Sequence, residues 1–334
     1  MGADMLSATL PTFADVEAAA DRLAGQAVVT PLLESLLLND RLGGRLLVKA
    51  EVLQRTGSFK FRGAFNRISL IPEAERARGV VAFSSGNHAQ GVAAAARLLG
   101  IPATIVMPSD APAIKVSNTR DWGAKVVLYD RWKEDREAIG ARISAESGAT
   151  LVRPYDDPHI MAGQGTIGLE LADQSNAVGS QLDAVLAPCG GGGMISGIAL
   201  AIAARSPTTK VYAVEPAGFD DTAQSLSAGE RLSNAAGASS FCDALLAPMP
   251  GELTFAINST HLAGGFAVTD AEVAAAMAVA RDHFKLVVEP GGAVALAAVL
   301  AGKIHAEGKT IAVVCSGGNV DPDVYAQALA SARY

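Results

Sequence analysis

The feature that most constrains the fold of this chain is a regular alternation, from Leu46 onward, of short apolar runs and alanine-rich segments with helical spacing. The apolar runs stand at residues 46–51, 80–83, 103–107, 125–129, 182–188, 210–216 and 310–318. Continuous apolar strands separated by helices are typical of parallel sheets that are covered on both faces. The sequence therefore predicts an open α/β fold with parallel sheets, in which ligands bind beyond the carboxyl ends of the strands.

The composition of the 334 residues narrows the classes of protein to which the chain can belong. Half of the residues are hydrophobic and the formal net charge is −7, which favours a large buried core over disorder. The acidic balance and the lack of a Lys/Arg run argue against a nucleic-acid partner. No apolar run is long enough to span a membrane, and the N-terminus lacks the pattern of a signal peptide. We therefore expect a soluble, cytoplasmic protein without a membrane partner.

The three cysteines indicate the same compartment. Cys189, Cys242 and Cys315 are odd in number and far apart, so they form neither a disulfide framework nor a CxxC motif. A reducing cytosol fits this pattern best.

The strongest local motif is a run of four glycines after the apolar strand that ends at Pro188. The glycines are Gly190, Gly191, Gly192 and Gly193, and a helix is predicted to begin near Met194. Successive glycine amides at a helix N-terminus favour an anion. The loop lacks the Lys-Ser/Thr of a Walker motif and the spacing of a dinucleotide fingerprint, so the phosphate group of a small cofactor is the better prediction. The alternative is a tight strand–helix turn, which needs fewer glycines.

Two further turns follow predicted strands. "SSGNHAQG" at 84–91 leads into a helix, and its hydroxyls and amides suit a carboxylate, although an ordinary N-cap is the more common explanation. "CSGGNVD" at 315–321 places Ser316 after an apolar strand, where a neutral hydroxyl suits a heterocycle nitrogen. Neither turn is decisive alone.

The stretch "TGSFKFRGA" at 56–64 puts Lys60 between two phenylalanines. One interpretation is a helix start, capped by Ser58, in which the lysine stem lies along apolar surface and the ammonium reaches water. The other is a lysine held in a pocket because its amine forms a Schiff base. These nine residues alone favour the first interpretation.

Six motifs in this order resemble those of the fold type II pyridoxal-phosphate enzymes, within the serine/threonine dehydratase and serine racemase group. They are "SFKFRGA", "SSGNHAQG", "AGQGTIGLE", "CGGGG", "VEPGGA" and "CSGGN". The resemblance covers about Thr30 to Asp321. It implies a tryptophan synthase β-like fold with two parallel-sheet domains, the active site between them, and a homodimer. The expected large domain is 1–52 plus 153–334, and the small domain is 53–152.

The resemblance also implies how pyridoxal phosphate is bound. Lys60 would form the Schiff base, with Phe59 against the pyridine ring, and Asn87 would bond the 3-hydroxyl. The four glycines of the loop, Gly190 to Gly193, would hold the phosphate. Ser316 would face the pyridine nitrogen and leave it unprotonated, which favours loss of a β-substituent.

The substrate residues follow from the same resemblance. Ser85, Gly86, Asn87 and His88 would bind the α-carboxylate of the amino acid. Lys60 would take the Cα proton, and Ser85 matches the residue that acts as acid–base on the opposite face in the racemases.

The loop "AVEPAGFDDTAQS" at 213–225 matches one that holds a divalent cation in this group. Glu215 and Asp221 would supply carboxylates and Phe219 its backbone carbonyl, an oxygen set that suits Mg²⁺ or Ca²⁺, with Mn²⁺ as a further alternative. From spacing alone the same residues would be a solvated loop.

The implied reaction is β-elimination from a hydroxy amino acid, which gives a keto acid and ammonia. Arg136 lies where racemase-like relatives carry an arginine able to reach a second carboxylate, so we favour 3-hydroxyaspartate, which gives oxaloacetate. The alternative for this segment is a surface helix with charge pairs such as Lys133–Glu137. A threonine/serine dehydratase with side racemase activity is the competing function.

More distant alternatives are a β-replacement enzyme, a catalytically silent binding protein and a nicotinamide-dependent enzyme. The dehydratase-like "SFKFRGA" argues against the first, and the intact set of cofactor residues argues against the second. The third lacks the dinucleotide fingerprint.

Overall fold

The computed structural model describes residues 9–84, 86–111 and 113–332, and within them the backbone forms two sheets. The strands are β1 (Leu32–Glu34), β2 (Arg45–Ala50), β3 (Val80–Phe83), β4 (Ala103–Pro108), β5 (Lys125–Tyr129), β6 (Thr150–Leu151), β7 (Ala184–Pro188), β8 (Lys210–Pro216), β9 (Gly264–Val268) and β10 (Thr310–Cys315).

Helices separate most of the strands. They are α1 (Phe13–Leu23), α2 (Leu36–Leu42), α3 (Lys60–Ser69), α4 (Glu73–Arg76), α5 (Asn87–Leu98), α6 (Ala113–Asp121), α7 (Arg136–Ser147), α8 (Pro158–Ala177), α9 (Gly193–Arg205), α10 (Asp221–Ala228), α11 (Glu252–His261), α12 (Asp270–Val279), α13 (Pro290–Leu300) and α14 (Pro322–Ser331). No helix in the described part of the chain is long and apolar enough to cross a bilayer.

The larger sheet has the strand order β1-β2-β10-β7-β8-β9. Successive residues of its central strands face opposite layers, because side chains alternate along a strand. Val48, Leu186 and Val313 pack with α12 and α13, whereas Leu47 and Val185 pack with α8 and α9. Burial on both faces explains the continuous apolar runs that predicted these strands.

The smaller sheet has the order β5-β4-β3-β6, and all of its strands are parallel. Ala82 and Ile105 pack with α3 and α5 on one face. Val81 and Val106 pack with Ile139 of α7 on the other face. The two parallel sheets confirm the predicted fold class, while the exact limits of the domains remain a prediction.

Some elements differ from the sequence-based expectation. The sheets are not parallel throughout, because β1 pairs with β2 in the antiparallel direction. The sequence did not predict the strands β1, β6 and β9. The first two have only three and two residues, and β9 begins with two glycines, so none of them contains a long apolar run. Ser58 does not cap α3: Phe59 occupies the N-cap, and Ser58 is extended and bridges to Gly317.

A buried ionic cluster fixes α3 to the elements of the larger sheet. The Arg62 guanidinium is almost fully buried and donates to both carboxylate oxygens of Glu51, at 2.8 Å each. It also pairs with Glu170 of α8 at 2.6 Å, and Lys49 Nζ donates to the same carboxylate at 2.6 Å. Every charge in the cluster therefore has an opposite partner, which a buried ion requires.

We expect Glu51→Ala to lower the free energy of unfolding by about 3–5 kcal/mol, because it leaves the buried Arg62 guanidinium without its bidentate partner. The matched control is Glu34→Ala, which breaks the partly exposed pair with Arg45 and should cost about 0–1 kcal/mol. Urea unfolding of the two variants beside the wild type measures both. Equal losses would show that the buried cluster contributes no more than a surface pair.

Candidate active site

A cleft of about 210 Å³ lies between the two sheets. Its walls include residues just beyond strand ends: Ser84 after β3, Gly190 two residues after β7, and Ser316 after β10. Because the carboxyl ends of parallel strands are where open α/β sheets bind ligands, this cleft is the candidate active site.

Lys60 lies in this cleft as the first residue of α3. Its Nζ donates to the carbonyl of Pro154 at 2.7 Å and stands 5.1 Å from the centroid of the Phe59 ring. Removal from water lowers the pKa of Lys60 to about 8, although the nearby Glu289 carboxylate acts in the opposite direction. At pH 7 about a tenth of the amine is therefore unprotonated, far more than for a lysine in water, and a nucleophilic lysine needs this form.

The glycine loop presents backbone amides to the cleft. The carbonyl of Gly191 accepts from Thr254 Oγ1 at 2.7 Å, and that of Gly192 accepts from Ser196 Oγ at 2.8 Å. Among the described residues, nothing accepts a hydrogen bond from the N–H groups of Gly190, Gly191 or Gly192. With α9 starting at Gly193, these free donors and the positive end of the helix form a site for an anion.

Tyr155 explains why the loop has glycine even at positions where the backbone conformation does not require it. Only Gly192 has a left-handed backbone among the four, with φ +93°. A methyl group on Gly191 would overlap the ring of Tyr155, and one on Gly193 would lie 2.9 Å from the Tyr155 Cα. The close approach of a neighbouring chain segment, more than the turn itself, excludes larger residues here.

The N-terminus of α5 forms a second place for an anion. Gly86 is the N-cap, and Asn87 and His88 open the first turn, whose N–H groups have no partner inside the helix. The His88 ring bonds the carbonyl of Val152 at 3.0 Å. Burial and the charge of Lys60 lower the pKa of His88 to about 3, so the imidazole is neutral. The positive potential here comes from the helix end and not from histidine.

Asn87 is held by two side chains from distant parts of the chain. Its Nδ2 donates to Glu289 Oε1 at 2.5 Å, and its Oδ1 accepts from Asn319 Nδ2 at 2.8 Å. Burial, reinforced by Asp243, raises the pKa of Glu289 to about 8. Sequence reasoning gave no role to Glu289, although the residue lies inside the quoted motif "VEPGGA".

Ser316 lies at the end of β10 and lines the cleft. Its carbonyl accepts from the N–H of Phe59 at 3.0 Å, which places it beside the Phe59–Lys60 pair. Its hydroxyl makes no hydrogen bond to any residue in the described ranges and is available to a ligand.

Lys115, Tyr155 and Asp243 also line the cleft and were not predicted. Lys115 pairs with Asp243 at 3.0 Å, across 128 residues of sequence. Burial by itself lowers the pKa of Lys115, but the Asp243 carboxylate outweighs it and the pKa is raised. No local pattern marks these residues, because only the tertiary fold brings them together.

Arg136 lines the cleft from the first turn of α7. Its Cζ lies 5.7 Å from the centroid of the Phe83 ring, and the guanidinium has no carboxylate partner in the part of the chain that the structure describes. Lys133 pairs with Asp130 at 3.3 Å and not with Glu137, but residues 131–138 are all exposed, as the surface-helix alternative predicts. Ser85 lies outside the described residues.

The loop at 213–225, which contains Glu215 and Asp221, lies apart from the cleft. Glu215 is fully buried, and its carboxylate accepts from the N–H groups of Thr222 at 3.0 Å and Ala223 at 2.9 Å. One oxygen of Asp221 accepts from Asn234 at 2.6 Å, whereas the other is buried and has no partner among the described residues. The two carboxylates are therefore not solvated, although the turn at Ala217 and Gly218 is exposed.

The electrostatics of this loop favour a cation. Burial and Asp221 raise the pKa of Glu215 to about 8, and burial raises the pKa of Asp221 to about 6. The described residues contain no cluster of three His, Cys, Asp or Glu side chains that could hold a metal. A cation here needs backbone oxygens as well, and Phe219 lies in the turn between the two carboxylates.

Most of the chain is similar in sequence to known proteins. The family described as pyridoxal-phosphate dependent enzyme matches residues 24–317. An L-threo-3-hydroxyaspartate ammonia-lyase from Pseudomonas sp is 46% identical over 320 residues, with 96% of this chain and 99% of the relative covered. The protein of the same name from Saccharomyces cerevisiae is 44% identical over 317 residues, with 95% and 96% covered.

A solved structure agrees with this relationship. The T.th. threonine deaminase superposes with a TM-score of 0.87 and is 44% identical, with 93% of this chain and 99% of the other covered. Similarity of sequence and of fold therefore extends over nearly the whole chain.

The lowered pKa of Lys60 predicts its reactivity. In protein freed of cofactor, an acylating reagent should label Lys60 with a half-maximal rate near pH 8, since only the free amine reacts and it forms as the pH rises through the pKa. Lys115 is the internal control, because its raised pKa delays labelling to higher pH. Peptide mass spectrometry reads both sites in one sample, and parallel pH curves would contradict the prediction.

Proposed function

This chain belongs to the family of pyridoxal-phosphate dependent enzymes, and on that premise we propose that it is a hydroxy amino acid ammonia-lyase whose preferred substrate is 3-hydroxyaspartate. The products are oxaloacetate and ammonia. The observation that carries the substrate assignment is the guanidinium of Arg136, which lines the cleft without a carboxylate partner among the described residues. The names of the relatives from Pseudomonas sp and yeast support the same substrate class.

The cleft fits pyridoxal phosphate. The unpartnered amides of the glycine loop suit its phosphate, and the free hydroxyl of Ser316 suits the pyridine nitrogen. Phe59 offers a ring face, Asn87 an amide for the 3-hydroxyl and Lys60 the amine. When bound, the cofactor supplies an electron sink for the Cα of the amino acid.

Lys60 is proposed to move the Cα proton. Its amine has a pKa lowered to about 8, so it is a base in the neutral range, and it donates a hydrogen bond to the Pro154 carbonyl. Loss of the Cα proton and of the β-hydroxyl removes one water molecule from the substrate. The released enamine then takes up water and yields the keto acid and ammonia, so the atoms balance.

The substrate carboxylates are assigned to different walls of the cleft. The α-carboxylate is proposed to bind the start of α5, at Ser85, Gly86, Asn87 and His88, where helix N–H groups are free. The side-chain carboxylate is proposed to bind the Arg136 guanidinium, whose fork matches a carboxylate bidentately. Ser85 remains proposed as the acid–base of a side racemase activity.

The competing function is a threonine/serine dehydratase. The similarity to the T.th. threonine deaminase favours it, as does the position of Arg136 over the Phe83 ring, which an arginine can occupy without any substrate. Values of kcat/KM for 3-hydroxyaspartate isomers, L-threonine and L-serine separate the two functions.

A divalent cation, Mg²⁺ with Ca²⁺ and Mn²⁺ as alternatives, is proposed at Glu215, Asp221 and the Phe219 carbonyl. The unpartnered oxygen of Asp221 and the buried carboxylate of Glu215 support it. A cation would favour the ionised form of both carboxyl groups, which burial otherwise disfavours.

A homodimer and a cytoplasmic location are proposed as well. Leu36 and Leu37, 74% and 72% exposed at the start of α2, support an apolar contact with a second copy. Sedimentation velocity would reject the dimer if the protein stayed monomeric at micromolar concentration, and cell fractionation decides the location.

We expect Arg136→Ala to lower kcat/KM for 3-hydroxyaspartate by about 10–100-fold, the equivalent of losing a charge-assisted bond of roughly 1.5–3 kcal/mol. Activity on L-threonine should change by less than about threefold, since threonine has no second carboxylate. Arg131→Ala is the matched control, because that guanidinium pairs with Asp110 at 2.7 Å. A loss of the same factor on both substrates would reject the assignment of Arg136.

For the metal site, we expect Mg²⁺, Ca²⁺ or Mn²⁺ added after chelation to raise the melting temperature. An ion at 100 times its Kd stabilises the fold by about 2.7 kcal/mol. Asp221→Asn should abolish this response, whereas Asp220→Asn, at the preceding position, should keep it. An equal response in wild type and Asp221→Asn would move the cation elsewhere.

A further inference from the structure

The side chain of Asn87 is clamped between two residues that lie more than 200 positions further along the chain. Glu289 precedes α13 and Asn319 follows β10, so both belong to the larger-sheet side of the cleft, whereas Asn87 starts α5 on the smaller-sheet side. The clamp therefore spans the site in which Asn87 is proposed to meet the cofactor.

The hydrogen bonds fix which end of the Asn87 amide faces which partner. Asn319 Nδ2 donates to the Thr56 carbonyl at 2.7 Å as well as to Asn87 Oδ1, so both of its N–H groups are used. A flipped Asn87 would place its NH₂ against the donor Asn319 and its oxygen against the acceptor Glu289. Two unfavourable contacts would replace two favourable ones.

One N–H of Asn87 remains after these bonds. An amide NH₂ has two donors, and the bond to Glu289 uses one of them. The other is left for the cleft that Asn87 lines. The clamp thus ensures that Asn87 offers a donor, and not its carbonyl oxygen, to a bound ligand.

The residues around Glu289 hold its side chain in place for the hydrogen bond with Asn87. Its backbone N–H donates to the carbonyl of Gly317 at 3.0 Å. A methyl group on Gly317 would overlap Glu289 Oε1 and come within 3.0 Å of Asn87 Nδ2. The side chain is buried, and among the described residues no cation lies within ion-pair distance of its carboxylate, although Lys60 and Lys115 are near enough to act against the rise in its pKa. The hydrogen-bond partner of its carboxylate is Asn87.

We propose that Glu289 is a positioning residue which, together with Asn319, orients Asn87 so that its second N–H donates to the ring oxygen of pyridoxal phosphate. The inference rests on the proposed function, in which Asn87 bonds the 3-hydroxyl. It assigns Glu289 the role of an acceptor, for which a charge is not required.

The test is a double-mutant cycle that measures cofactor affinity and colour, not turnover. Asn87→Ala and Glu289→Ala should each raise the Kd of pyridoxal phosphate about 10-fold and shift its visible absorption maximum in the same direction. The double variant should be no worse than Asn87→Ala alone, because Glu289 acts through Asn87. Losses that multiply to about 100-fold would overturn the proposal.

Glu289→Gln separates position from charge. Its amide oxygen can still accept from Asn87 Nδ2, so we expect a Kd within about threefold of the wild type. If Glu289→Gln binds the cofactor as weakly as Glu289→Ala, the charge matters and the positioning role is wrong.

Two further variants distinguish a loss of cofactor binding from a general loss of stability. Asn319→Ala probes the other half of the clamp and should show the same non-additivity with Asn87→Ala. Glu272→Ala removes the capping box of α12 and the pair with Lys303, so it should lower the melting temperature and leave the Kd unchanged. A wild type that binds no pyridoxal phosphate would reject the proposed function itself, whereas an unchanged Kd in Glu289→Ala would reject this inference alone.

Discussion

The position of Lys60 depends on the buried charge of Arg62, two residues further along α3. An ion with almost no exposure to water must have its partners in fixed places, and here they are Glu51 and Glu170. Glu51 follows β2 and Glu170 belongs to α8, so one guanidinium fixes α3 against two elements of the larger-sheet side. A methyl group on Gly63 would overlap Gln164 of α8, which shows how closely the two helices pack. Lys60 is the first residue of this helix, which has little freedom to move.

Burial also changes the charges in the cleft. It shifts the pKa values of both basic and acidic side chains in the direction that favours the neutral form. It lowers the pKa values of Lys60 and His88 and raises that of Glu289. Positive potential must then come from groups that cannot lose a proton easily. These are the N-termini of α5 and α9, the guanidinium of Arg136, and the ammonium of Lys115, which Asp243 already pairs.

The sequence was sufficient for the parts of the fold and site that are local. Apolar runs predicted β3 and most of β8 at their observed limits, because a strand buried on both faces needs apolar residues. The limits of β5 were predicted as well, although this edge strand is partly exposed. The ordered motifs predicted that Lys60 and the glycine loop share one site, and both line the same cleft. The sequence did not reveal the bond between Asn87 and Glu289, 202 residues apart, or the pair of Lys115 with Asp243. Neither contact has a local pattern, since each depends on how the two sheets face one another.

The number of anion-binding places in the cleft argues for the proposed substrate class. The start of α9 suits the cofactor phosphate and the start of α5 suits an α-carboxylate, so an amino acid with an uncharged side chain already has both of its partners. Arg136 is then a third positive group on the cleft wall, without a carboxylate of the described chain beside it. A dicarboxylic substrate would pair that guanidinium bidentately, whereas a monocarboxylic one would leave it in contact with water, since Arg136 is exposed in this structure. Discrimination between the two thus comes from the geometry of one bidentate pair at the exposed edge of the cleft, and not from burial of the guanidinium.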